Sequence, residues 1–382
     1  MIILNVNCLH SGDWVFAAPQ FREEIKREGK IVNQFPAHHN GAWMWTQALR
    51  DLGHEVIEFD YRTNSFIKKE WQARFSTLHD GYNILCKRFQ RLLALETRLM
   101  NERLLAMARK IKPNIFITYP GERIFPKTIQ EMSERLKIRT VLWLGRDVVY
   151  ERTPNVVESF PFYDFVFTID PPAVDKYKRH GARHVFYLPL GCYPPTHRPI
   201  DLTDEDKKKY SASVSFVGQL FDDRPEFLCN LIDEKVNFWT HWWDTNGIKA
   251  KYPQLAPLYR GEARGMAMIK VLNGAEIVLN VHRATNSYEG TNMRTFEAAG
   301  CAAFQLTEYK KEIGRMFKID EEIAVYYDMN DMKQKIEYYR RNPELRSEMA
   351  LKAQRRAYAE HTYQHRFEEM LKVINGANCV GQ

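Results

Sequence analysis

Glu289 and Glu297 stand eight residues apart, and Gly290 directly follows the first of them. Around them runs Val281-His282-Arg283-Ala284-Thr285-Asn286-Ser287-Tyr288-Glu289-Gly290-Thr291-Asn292-Met293-Arg294-Thr295-Phe296-Glu297. An apolar strand ends, a loop holding a glycine follows, and a helix opens with its first N–H groups outside the intrahelical ladder. Such a helix start is an anion site, because those donors and the positive end of the helix dipole point the same way. Gly290 permits close backbone approach, so a phosphate is expected on the amides near Thr291, Asn292 and Met293. One carboxylate precedes the helix and the other lies within it, so the two address different parts of one ligand. The plainer account, a loop acid beside a helix start and an exposed helical acid, has the same spacing and stays open.

A second polar cluster ends another apolar run, Leu142-Trp143-Leu144-Gly145-Arg146-Asp147. In an open α/β sheet the carboxyl edge of the strands faces the ligand crevice, which makes Asp147 a candidate; capping of the next helix is the alternative. Phe238 and Trp239 finish a strand and are assigned to packing, leaving Trp242 and Trp243 as possible crevice residues. His38-His39 lacks a third ligand at metal spacing, and the six scattered cysteines form neither a Cys-x-x-Cys pair nor a zinc cluster.

These residues need a scaffold of strands that end at a common edge. Apolar runs at 2–8, 114–119, 140–144, 165–169 and 185–188 alternate with helical stretches at 42–52 and 80–112, which is the pattern of a doubly wound parallel sheet. The second half repeats it, with strands at 212–217, 236–239, 277–281, 302–306 and 324–327 and helices from 225, at 266–273 and at 293–299. A proline-rich stretch at 189–199 and a charged one at 201–209 read as the linker. Helical signals over 343–374 are long enough to return to the first half.

With 382 residues, 45% hydrophobic and 13% aromatic, the chain is too apolar for a disordered tail and long enough for two cores. A mean hydropathy of −0.48 and the lack of an apolar run of spanning length argue against a transmembrane segment. The start Met1-Ile2-Ile3-Leu4 reads as a strand and not a signal peptide, so a cytoplasmic location is expected. A formal net charge of +7 suits anionic ligands without choosing among them.

The Glu289 to Glu297 segment resembles the carboxylate-x7-carboxylate signature of the group-one, GT-B-fold glycosyltransferases. In its fuller form, continuing Ala298-Ala299-Gly300-Cys301-Ala302-Ala303-Phe304-Gln305-Leu306-Thr307, it is similar to the CgeB-like (spore maturation protein) branch. The likeness extends to Val214-Ser215-Phe216-Val217-Gly218, Val325-Tyr326-Tyr327-Asp328 and His361-Thr362-Tyr363-Gln364-His365-Arg366, and so covers the second half; the first matches in outline. It implies a GT-B architecture: two Rossmann-like doubly wound parallel-sheet domains facing each other across a cleft. The N-terminal acceptor-side domain takes 1–192, the C-terminal donor domain 193–356, and a C-terminal helix at about 357–376 packs back on the first.

The resemblance also implies roles. Glu297 holds the ribose hydroxyls of the donor, and Glu289 lies near the donor sugar and diphosphate. The wider group follows a glycine, here Gly218, with an arginine and then a lysine that clamp the diphosphate. This chain has Gln219 and Arg224 there, so Arg224 inherits the phosphate and Arg294 or Arg283 supplies the missing charge. Gly41, in Asn40-Gly41-Ala42-Trp43, stands where relatives carry a glycine-rich loop, and His10 and Asp13 form the acceptor-side wall; a simple N-cap by Asn40 remains the alternative. Asp147 stands where relatives carry a polar residue facing the donor sugar.

The expected activity is therefore transfer of a sugar from a nucleotide diphosphosugar, a UDP-sugar first and a GDP- or dTDP-sugar otherwise, to a hydroxyl of a glycan, protein or small molecule. Retention and independence from metal are expected; inversion would need a base, with Asp147, Asp13 and His10 in that order. A GT-B nucleotide-sugar epimerase, a DNA-modifying glucosyltransferase and a non-enzymatic carbohydrate-binding protein are the rivals, and nucleic acid is not the expected partner.

Overall fold

The computed structural model describes residues 1–7, 41–60, 90–220, 223–240, 243, 247–283 and 288–376. Two compact units account for them, the first built mainly on 45–168 and 172–187, the second on 169–171 and the chain from 188 onward. The sheet of the first unit has the order β2-β1-β3-β4-β5-β6, from strands β1 (Ile2–Asn7), β2 (Glu55–Asp60), β3 (Ile115–Tyr119), β4 (Arg139–Leu144), β5 (Phe165–Thr168) and β6 (Val185–Tyr187). Every pairing is parallel. Helices α1 (Gly41–Asp51), α2 (Gln90–Ile111), α3 (Pro126–Gln130), α4 (Pro154–Ser159) and α5 (Pro171–Arg179) intervene.

A parallel sheet is covered on both faces, so its central strands read as near-continuous apolar runs. Thr140 to Leu144 of β4 are all fully buried. Leu142 and Leu144 enter the cluster of Val6, Phe116 and Ile129, whereas Trp143, alternating to the other face, stacks on Trp45 with ring centroids 4.8 Å apart.

The second unit has strands β7 (Ala212–Val217), β8 (Asn237–Trp239), β9 (Ala275–Asn280), β10 (Gln305–Glu308) and β11 (Ala324–Tyr326), in the order β11-β10-β9-β7-β8 and again parallel. After β7 the chain first adds β8 on one side and then crosses to lay β9 on the other. The strand order thus reverses between β7 and β9, and there the carboxyl ends diverge to leave a ligand crevice. Its helices include α6 (Asp204–Tyr210), α7 (Arg224–Cys229), α8 (Met266–Gly274), α9 (Met293–Gly300), α10 (Met329–Arg340), α11 (Pro343–Glu360) and α12 (Tyr363–Gly376). Among the described residues, no helix is long and apolar enough to cross a membrane.

Three local expectations change. The charged stretch read as linker is helix α6: Thr203 accepts the Asp206 amide at 3.1 Å, acids fill the first turn and lysines the last, so the charges complement the helix dipole. The single helix expected over 343–374 breaks at His361 and Thr362, because their backbone pairs with Cys192. The Cys192 amide donates to the His361 carbonyl at 2.9 Å, and Tyr363 N–H donates to the Cys192 carbonyl at 2.8 Å. The strand expected at 302–306 starts only at Gln305, since Ala302 adopts a φ of 50° and the turn that closes α9 uses the residues before it.

Trp243, left open as a crevice residue, is core: it is 2% exposed and stacks on Tyr259 at 5.3 Å. Phe238 lies at 5.4 Å from Trp243 and 5.6 Å from Tyr259, fully buried. Phe238→Ala is expected to lower stability by about 3–5 kcal/mol, read as a shifted urea midpoint with little change in slope.

Candidate active site

Strand ends at a switch point leave backbone carbonyls without a neighbouring strand, and buried carbonyls need donors. Arg224, the first residue of α7, supplies two. Its Nη1 donates to the Gln219 carbonyl at 2.9 Å and its Nη2 to the Val281 carbonyl at 2.9 Å, so one guanidinium spans the continuations of β7 and β9. Gly218 lies inside this tie, its amide donating to the Trp239 carbonyl at 3.1 Å. Arg294, from the first turn of α9, adds a second guanidinium: Nη2 reaches the Val217 carbonyl at 3.3 Å and Nη1 donates to Glu297 Oε2 at 2.8 Å.

Glu297 is 4% exposed, not an exposed helical acid. Its Oε1 lies 3.8 Å from His197 Nε2. His197 Nδ1 accepts the Tyr193 amide at 2.9 Å, which leaves the ring proton on Nε2, toward the carboxylate.

Helix α9 is capped by Asn292, whose Oδ1 accepts the Thr295 amide at 3.3 Å while its Nδ2 donates to Asn280 Oδ1 at 2.8 Å. The cap is thereby fixed to the end of β9. Met293 and Arg294 occupy the first two helical positions, where an amide has no acceptor within its own helix.

The loop before the helix is organised by a residue that the sequence reading did not single out. Asp170 Oδ1 accepts the amides of Tyr288, Glu289 and Gly290 at 3.1, 2.9 and 2.8 Å. A Cβ on Gly290 would lie 2.0 Å from the Ile169 carbonyl oxygen. The close approach that this glycine permits is therefore to the chain's own residues 169 and 170, and its amide is already bonded to a carboxylate. Thr291 is fully buried beside Met316, so the helical amides of Met293 and Arg294 are better placed for an anion than those before them. Glu289 is half-buried, paired with Lys311 at 3.2 Å, and its carbonyl accepts the Glu312 amide at 3.1 Å. Arg283 follows β9, half-buried.

In the first unit, Asp147 is 3% exposed. Its Oδ1 accepts the amides of Val149 and Tyr150, each at 3.1 Å, and its Oδ2 is ion-paired with Lys176. Both oxygens are held, Oδ1 by the turn that follows; Asp147 is not the cap of the next helix, α4, whose N-cap is Thr153. Gly41 begins α1. His10, Asp13, Asn40, the His38-His39 pair and Trp242 lie outside the described residues.

His282, just beyond β9, was also missed as a candidate. Its side chain is fully buried, neither ring nitrogen has a hydrogen-bond partner among the described residues, and Nδ1 lies 3.7 Å from Glu308 Oε2. Nothing in its sequence context separates it from an ordinary loop histidine.

Residues 216–372 match a family model described as glycosyl transferase-like. The spore protein CgeB of Bacillus subtilis (strain 168) is 23% identical over 255 residues, which is 63% of this chain and 76% of that protein. Residues 216–372 thus form a glycosyl transferase-like domain similar in sequence to CgeB, within a chain of the GT-B fold. Among solved structures, sucrose-phosphate synthase of Thermosynechococcus elongatus superposes with a TM-score of 0.64 at 11% identity, covering all of both chains. The Anabaena HepE protein in complex with UDP-glucose superposes with a TM-score of 0.61 at 10% identity, over 98% of this chain and all of HepE. At such identities the likeness is one of fold. The family match covers the switch point together with Arg224 and Arg294.

Two buried histidines are expected to make the fold acid-sensitive. Burial, then the charges of Lys310 and Arg224, push His282 down from 6.5 to about 3; burial, then Arg366, pushes His361 down from 6.5 to about 4. Between these values and 6.5 the unfolded chain binds protons that the folded chain refuses, so stability falls as pH drops below 6.5. At pH 5 the cost is about 2 kcal/mol per histidine. The melting temperature is expected to fall from pH 7 to pH 5, and His282→Gln should flatten that dependence.

Proposed function

We propose that the second unit binds a nucleotide diphosphosugar, a UDP-sugar first, at the β7/β9 switch point, and that the enzyme moves the sugar to a hydroxyl of a glycan, protein or small molecule. The observation that carries this reading is the pair of guanidinium groups, of Arg224 and Arg294, beside Gly218 and the first two amides of α9. Charged donors preset around an anion stabilise a leaving diphosphate without reorganising during reaction. Arg294 occupies the place where Gln219 leaves a positive charge missing, with Arg283 at the neighbouring strand end, and this charge supports transfer without a metal. HepE, a protein of the same fold, was solved with UDP-glucose.

In this reading Glu297 accepts the ribose hydroxyls, and Glu289, on the loop before α9, faces the sugar. An ionised carboxylate accepts two hydroxyl hydrogen bonds, which suits the ribose role; Arg294 and His197 set its orientation. Retention follows from attack on the donor face: the acceptor oxygen bonds to the anomeric carbon as its bond to the diphosphate breaks, and the acceptor proton passes to the leaving phosphate oxygen. No protein nucleophile is then required, which agrees with an Asp147 held by Lys176 and two amides.

The test is a thermal-shift panel of UDP-, GDP-, dTDP- and CMP-sugars on wild type and Glu297→Ala, with and without EDTA. One nucleotide class should raise the melting temperature in wild type, with EDTA present or absent, and the shift should vanish in the variant. Product analysis of the binding donor with acceptors then decides the reaction. An epimerised nucleotide sugar released without acceptor would replace transfer by epimerisation, and no shift with any donor would overturn the donor site. Arg224→Ala should weaken donor binding by about 10- to 100-fold, the scale of a lost charge-assisted contact.

A further inference from the structure

The donor loop carries an acid that the proposed reaction uses, yet its own sequence does little to hold it. Between β9 and α9 the chain must leave the sheet, present Glu289 and return to the Asn292 cap. Three successive amides in this loop converge on one point, and such a convergence of N–H groups is a nest that attracts an anion. Here the anion belongs to the chain: Asp170 Oδ1 takes all three bonds, from Tyr288, Glu289 and Gly290, at 3.1 to 2.8 Å. Asp170 is 3% exposed, and the Ile169 carbonyl oxygen lies 2.0 Å from where a Gly290 Cβ would stand, so the two segments are in contact along their backbones. No other residue type serves equally. The negative charge lets one carboxylate oxygen draw three donors more strongly than a neutral hydroxyl oxygen would, and removing the carboxylate leaves three buried or half-buried amides without their acceptor, at a cost of about 1–3 kcal/mol each.

From this we infer that Asp170 is a positioning residue for sugar transfer: it fills the nest of the 288–290 loop and thereby fixes where Glu289 stands relative to the amides of Met293 and Arg294. The inference rests on the donor-site reading above. Lys311 holds the Glu289 side chain and the Glu312 amide holds its carbonyl, so Asp170 is the third support of that residue and the one that holds its amide together with those on either side. A displacement of about 1 Å in such a group costs on the order of 100-fold in rate even when binding persists.

The experiment compares wild type, Asp170→Asn, Asp170→Ala, Glu289→Gln and the double variant Asp170→Ala/Glu289→Gln. Asn keeps an oxygen in place at the expense of its charge, whereas Ala leaves the nest empty. Expected is a kcat about 10- to 100-fold lower for Asp170→Ala with a donor KM within about threefold of wild type, substantial rescue by Asn, and a double variant no slower than Glu289→Gln alone. Amide hydrogen exchange without donor should show 288–290 exposed in Asp170→Ala and protected in wild type. Multiplying losses in the double variant, equal turnover of Asp170→Ala and wild type, or unchanged exchange protection would each overturn the inference. A wild-type chain that binds no nucleotide sugar would instead overturn the donor-site reading, and this role with it, while exchange still reads the clamp.

Discussion

Arg224 holds the carbonyls of Gln219 and Val281 in one planar group, and the switch-point end of the second unit depends on that tie. Where the strand order reverses, β7 and β9 part company and their last carbonyls lose the neighbours that a continuous sheet would offer. A guanidinium answers this with several donors in a fixed fork, which a lysine ammonium cannot match in geometry. The same group that satisfies the backbone keeps a permanent positive charge at the crevice. Structure and electrostatics are thus served by one side chain.

Around this tie the remaining groups hold one another. Arg294 joins the Val217 carbonyl to Glu297, and Glu297 faces His197, whose proton is set by the Tyr193 amide. Asn292 binds the start of α9 to Asn280 on β9, and Asp170 binds the loop before it. Except for Arg294 with Glu297 and His197 with Tyr193, each contact joins residues distant along the chain. The helix start and the Glu289 loop are therefore located by long-range hydrogen bonds, and Glu297 by Arg294 and the facing His197, a source of preset geometry that loops by themselves lack.

The histidines show the cost of the same compactness. His282 lies in the packed end of β9 with its ring fully buried, so protonation there opposes folding. His361 occupies the break between α11 and α12, where its carbonyl pairs with Cys192 and its ring is bonded to Arg366 and the Met316 carbonyl. Both are neutral packing elements near neutral pH.

The sequence by itself determined the two parallel-sheet units, the position of most strands and the start of α9, because apolar runs, terminal prolines and glycines act locally. Resemblance to a family motif also marked Glu297, Gly218 and Arg224. Only the tertiary structure decided what these residues touch: that Glu297 is buried against Arg294, that Arg224 spans two strand ends, that Trp243 is core, and that α11 stops where Cys192 pairs with it. Asp170 is the clearest case, since 118 to 120 residues separate it from the amides it holds. No local pattern encodes such a pairing, because it exists only once residues 169–171 have packed against the 288–290 loop within the second unit.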